Sequence, residues 1–167
     1  MKKLMKSLDN TLTKIEENLT FILLLAMLLA VFASFVSRYV FNSPIDWTEE
    51  FSRYVMIWAT FIAASYGVKT GAHITLDIMV IYLSDKGNKI LRTVSYILSL
   101  VYCVLVIYIG IPFINNLIET QQKSPAMEIP MYFVYLSIIV GTVLMFLRYV
   151  ILLFNEFSNS NQLEKVN

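Results

Sequence analysis

The 167-residue chain has one cysteine, one histidine, four prolines and five glycines. Each scarcity removes a class of chemistry. Cys103 alone cannot form an internal disulfide, which excludes membrane thiol oxidoreductases that need cysteine pairs. His73 alone cannot hold a haem between two histidines. No P-loop, no GxGxxG and no nucleophile elbow is present, and no metal-ligand cluster stands out. Charge is scarce as well: charged residues make up 15% of the chain, against about 25% in a soluble domain. The net charge of +1 comes with neither a basic nucleic-acid patch nor an acidic tail. Neither an enzyme, nor a cofactor, nor a nucleic-acid partner is expected.

Long uncharged stretches take the place of all this. Residues 18–37, 54–68, 93–118 and 129–147 contain no charged side chain. A helix needs roughly 20 apolar residues to cross the hydrocarbon core. Three stretches reach or approach that length, and the second does so once it is extended back through a polar first turn to Trp47. The fold class expected is therefore an all-α membrane protein with four transmembrane helices, at about 19–41, 47–68, 93–118 and 129–154. The lysine-rich start resembles a signal peptide, but the apolar run is too long for an h-region and lacks an A-x-A site. It reads as a retained first helix.

Residues 1–18 carry Leu4, Leu8, Leu12, Ile15 and Leu19 at helical spacing, with lysines and acids between them. That pattern predicts an amphipathic helix lying in the interface, with a straight extension of the first span as the alternative. Asn42-Ser43-Pro44 predicts a turn. Asp46, with Glu49 three residues on, predicts the start of the second helix. The 69–92 segment is apolar but too short to span, which predicts an interfacial or re-entrant loop or helix. Pro112 predicts a kink in the third span, and Pro130 a helix start. Residues 155–167 read as a polar cytoplasmic tail. Ten Lys and Arg fall on the side of the termini and three on the other, which predicts that both termini are cytoplasmic.

Small residues recur four apart at Ala26-Ala30-Ser34, Ala59-Ala63-Gly67 and Ser95-Ser99-Cys103, a spacing that lets helices approach closely. No acid or base lies in the middle of a span, which speaks against a stand-alone pump. The ionisable residues gather at span ends. Arg38 precedes Trp47, Glu49 and Glu50, and Arg53 follows. Glu49 and Arg53 are four apart and can pair, and Arg38 can reach the same acids across the turn. The bland reading is a charge-paired, aromatic-belted hairpin that sets depth and tilt. The functional one is a rim that docks onto another membrane protein. His73 and Asp77, also four apart, can hydrogen-bond or cap the loop; a metal site would need further ligands.

At Arg38-Tyr39-Val40-Phe41-Asn42, Trp47-Thr48-Glu49-Glu50 and Gly71-Ala72-His73-Ile74-Thr75-Leu76-Asp77, the chain resembles the small, Q-type (DctQ-like) membrane subunit of tripartite ATP-independent periplasmic (TRAP) transporters. The four-span layout, the size and Arg148-Tyr149 agree, so the resemblance covers essentially the whole chain. It implies a location in the bacterial inner membrane, surrounded by membrane lipids. Its partners would be a large multi-span M-type transport subunit and a periplasmic substrate-binding protein. It implies ion-driven uptake, usually with sodium, of an organic acid such as a sialic acid or a C4-dicarboxylate. The small subunit would act as a scaffold without catalysis, and Arg38, Trp47, Glu49, Glu50 and Arg53 would be structural or interface residues. The competing readings are a self-assembled four-helix channel or exporter, an assembly factor and, more distantly, a membrane enzyme.

Overall fold

A computed structural model describes residues 2–70 and 85–163. Four helices account for most of them: α1 Lys2–Tyr39, α2 Asp46–Thr70, α3 Asp85–Glu119 and α4 Met131–Leu163. No strand occurs among the described residues, only an isolated bridge between Lys123 and Pro130. The centre of the loop or helix expected at 69–92 lies outside the described residues, and His73 and Asp77 lie there with it. Its flanks belong to the end of α2 and the first turns of α3.

Three segments are long and apolar enough to cross a membrane: Asp9–Tyr39, Ile90–Glu119 and Met131–Phe154. α2 is 25 residues long, but Asp46, Glu49, Glu50 and Arg53 occupy its first two turns. α1 is one unbroken rod of 38 residues, so the amphipathic stretch at 1–18 and the first span form a single helix. The chain offers no glycine or proline in that stretch to break it. α1 ends at Tyr39, just before the Asn42-Ser43-Pro44 segment. Asn42 takes a left-handed conformation (φ 51°), which Asn tolerates, and the Ser43 N–H bonds back to the Ser37 carbonyl at 3.1 Å. α3 continues through Pro112 as one helix. α4 runs nine residues past the expected end of its span, to Leu163.

The helices stand in a row, α1–α2–α4–α3. α1 packs on α2, α2 on α4 and α4 on α3; α1 barely touches α4, and among the described residues α1 and α3 do not meet. The two inner helices approach closely at their backbones. Ala59 and Ile62 of α2 and Val134 and Ser137 of α4 are buried. A Cβ at Gly141 would come within 2.8 Å of the Phe61 carbonyl oxygen and 2.9 Å of its carbon. Close backbone approach through small residues is how membrane helices gain dispersion contact when lipid removes the hydrophobic drive. Of the three small-residue runs in the sequence, Ala59 serves this seam, but a Cβ at Gly67 would meet nothing. Gly141, outside those runs, makes the closest approach. The buried hydroxyls of Ser137 and Thr142 are satisfied within their own helix, by the Val134 and Ile138 carbonyls at 2.6 Å each. Helix α3 joins through Phe113 on Tyr135 and Tyr96 on Tyr149.

Candidate functional site

The polar side chains collect at the two ends of the row. One end carries the α1–α2 turn and the α3–α4 loop and is called here the turn end. The other is the terminal end.

At the turn end, Arg38 forms an ion pair with Glu49, both side chains exposed. Among the described residues Arg53 has no ion-pair partner: the i, i+4 pairing with Glu49 does not form, because Arg38 takes that carboxylate across the turn. Trp47 is half exposed and meets Phe51 edge-on, ring centroids 6.1 Å apart. Glu50, in contrast, points inward. Its Oε2 accepts the backbone N–H groups of Ala126 and Met127 at 2.9 and 2.7 Å. Its Oε1 accepts the Tyr54 hydroxyl at 2.5 Å. The α3–α4 loop is shaped for this. Gln121 and Glu128 adopt positive φ, and Ser124 N–H bonds the Ile129 carbonyl at 2.9 Å. The turn so closed aims two consecutive N–H groups at one carboxylate, an arrangement suited to negative charge. Glu50 thereby fastens the start of α2 to the α3–α4 loop. Below it lies an apolar groove of 430 Å³ walled by Leu19, Leu23, Val55, Trp58 and Phe133.

The terminal end holds a cluster that the sequence reading did not assemble. Arg148 of α4 is 1% exposed, as is Glu16 of α1. Arg148 pairs with Glu16 at 2.5 Å and with Asp9. It also donates to the Thr13 hydroxyl at 3.1 Å. Lys69 of α2 pairs with Asp9 at 3.0 Å and donates to Thr13 at 2.6 Å. Ser65 of α2 donates to the second Glu16 oxygen at 2.7 Å. Two acids meet two bases, and three helices contribute. Asp9, Thr13 and Glu16 are spaced i, i+4 and i+7, which places them on one face of α1. That spacing, with Lys69 and Arg148 closing the uncharged runs 54–68 and 129–147 at the same end, was the available signal. It was obscured by the leucine stripe, which reads equally well as an interfacial helix, and by counting Arg148 only as a boundary charge.

Neither cluster leaves a carboxylate free. Each carboxylate in them is occupied by a cation or by N–H and O–H donors, and among the described residues no group of three or more His, Cys, Asp or Glu gathers to hold a metal ion. What both arrangements do is fasten helices.

The family model for "Tripartite ATP-independent periplasmic transporters, DctQ component" matches residues 27–159. A Haemophilus influenzae protein, named provisionally as a TRAP transporter small permease protein, is 31% identical over 95% of this chain and 93% of its own length. The C4-dicarboxylate TRAP transporter small permease protein DctQ of Rhodobacter capsulatus is 26% identical over 62% of this chain and 45% of its own. The sialic acid TRAP transporter permease protein SiaT of Haemophilus influenzae is 29% identical over 63% of this chain, an alignment that takes up 17% of that protein. With three helices long and apolar enough to span and relatives of this kind, the molecule is a multi-pass integral membrane protein.

Proposed function

The chain belongs to the DctQ component family of the TRAP transporters and is a small subunit of that kind; from this premise we propose that it is the non-catalytic scaffold of an ion-gradient-driven transporter in the bacterial inner membrane. The observation that carries the scaffold reading is the use of its charges. Arg148, Glu16, Asp9, Lys69 and Glu50 are spent on holding helices together. Ionisable residues that line a transport path need to face a cavity, and these face one another. A chain built this way works through a partner.

That partner is a large M-type subunit. The alignment with a stretch of the much longer SiaT permease supports it, since one chain can hold both parts. A periplasmic binding protein would deliver the substrate, an organic acid such as a sialic acid or a C4-dicarboxylate, with sodium as the driving ion. In this reading both termini face the cytoplasm and α2 crosses the membrane as a fourth span. Glu50 and Lys69 stand 19 residues apart on α2, about 28 Å of helix, close to one hydrocarbon thickness of about 30 Å. α2 also lies along α4, which is itself long and apolar enough to cross. The turn end then faces the periplasm. There Trp47, exposed Glu49 and Arg53 form a rim whose charges set approach and orientation more than affinity. Lipid acyl chains fill the apolar groove wherever the partner does not.

The test is purification of the tagged chain in mild detergent, with mass spectrometry of what accompanies it. A stoichiometric multi-span partner is the expected result. A stable homo-oligomer with no partner would replace the scaffold with a self-contained channel or exporter. Within the complex, Trp47→Ala or Glu50→Ala is expected to lower assembly or uptake and leave substrate preference unchanged. A variant that assembles normally yet prefers another substrate contradicts the scaffold role.

A further inference from the structure

Helix α1 lies along α2 on a narrow face of half-buried Leu12, Leu23, Ala26 and Met27 and buried Ala30, with ion pairs at both ends of that face. From Asp9 to Tyr39 its buried side chains are Glu16, Ala30 and Ser37. Phe21, Leu25, Leu28, Phe32 and Phe35 are all exposed. In a bilayer such a narrow face gains dispersion contact but little hydrophobic drive, so it biases the rotation of α1 less than buried charges can. The charges supply the stronger bias. An ion withdrawn from water at the membrane edge is strongly held to an opposite charge. Here the acids sit on α1 and the bases on α2 and α4.

We propose that the Asp9–Glu16–Lys69–Arg148 cluster is a latch that fixes the rotation and depth of α1, with Arg148 as its positioning residue. Three features carry this. Arg148 is the link between α1 and α4, two helices that otherwise scarcely meet. Its guanidinium engages three residues on one α1 face, Asp9, Thr13 and Glu16, over two turns of helix. Such spacing resists both sliding and rolling, which a single ion pair does not. Finally, the charges balance, two against two, and Arg148 and Glu16 are fully buried, so loss of either strands the other in a dry site. With the acids held inward, α1 turns its phenylalanines and leucines outward in one defined direction.

The experiment measures α1 directly and needs no partner. Nitroxide labels are placed at Leu25→Cys and Val143→Cys, both exposed positions, in a Cys103→Ser chain in lipid nanodiscs. Pulsed electron paramagnetic resonance then reads the α1–α4 distance distribution. The unmodified latch is expected to give one narrow distance. Arg148→Met should lose it to a broad distribution, and Arg148→Lys should retain part of it. The double variant Arg148→Met with Glu16→Met leaves the Asp9–Lys69 pair balanced but lacks the α1–α4 link, and should stay as broad as Arg148→Met alone. Should Arg148→Met not fold, Glu16→Gln carries the single-variant arm. A narrow, unshifted distance in the single variants would overturn the latch. So would a double variant as narrow as the unmodified chain, since charge balance, and not the Arg148 link, would then set the rotation.

Discussion

Single residues decide two of the contacts that shape this protein. Glu50 accepts two backbone amides and a phenol, so it replaces the cap that the α3–α4 loop lacks. Glu50→Ala removes all three acceptor contacts, and Glu50→Gln keeps one carbonyl oxygen but no charge. Hydrogen bonds to an ionised group are stronger than neutral ones. The thermal midpoint, read by size-exclusion chromatography after heating in detergent, is therefore expected to fall for Gln and further for Ala. Equal midpoints for all three proteins would show that the loop holds itself. Gly141 is the second such residue. A methyl group there meets the Phe61 backbone, which cannot swing aside. At Gly110 the nearest atom is the flexible end of Ile139, which can. Gly141→Ala should destabilise by about 1–3 kcal/mol, the usual cost of overpacking, while Gly110→Ala should leave the midpoint close to wild type. Glu50 stood out in the sequence as an acid beside aromatics at a span end. The amides it binds were not legible there, because they depend on positive φ at Gln121 and Glu128, residue types that do not announce it.

At the scale of elements, uncharged runs locate helices well because lipid permits so few backbone solutions. The turn at Asn42-Ser43-Pro44 and three of the helices were readable for that reason. Helix ends were less so. α1, α3 and α4 all continue past their apolar runs at the terminal end, where water no longer penalises polar side chains and sequence contrast fades. α2 is the reverse case, a helix whose polar first turns hide its length. Its crossing can be checked by single-cysteine labelling in a Cys103→Ser background, using intact cells and an impermeant maleimide. Cysteine at Ser43, beside the α1–α2 turn, is expected to react from outside. Cysteine at Thr70, at the far end of α2, should react only after the membrane is opened. Both reacting from the same side would remove α2 from the spans, and Thr70 outside with Ser43 protected would reverse the reading of the Lys and Arg count.

The whole molecule is a row rather than a closed bundle, and that has consequences beyond any one contact. A closed four-helix bundle buries one stripe of every helix. In this row only α2 and α4 are flanked on both sides, and the edge helices α1 and α3 leave most of their large apolar side chains uncovered. Lipid satisfies those side chains chemically, but it does not lock the edges in place. The turn-end and terminal-end ion clusters hold α1, and aromatic contacts to α4 hold α3. Such a slab gains most when a second protein lies along it. Partner binding stabilises a folded state by mass action, and the effect is largest where the free state opens easily. The tagged chain produced alone should therefore be degraded faster in cells than the same chain produced with its large subunit, as read by immunoblot after synthesis is stopped. Limited proteolysis of purified membranes should show the same protection. The difference should shrink if the row is made self-sufficient, and grow in Gly141→Ala, whose central seam is already weakened. Identical lifetimes with and without the large subunit would mean that lipid alone completes the fold.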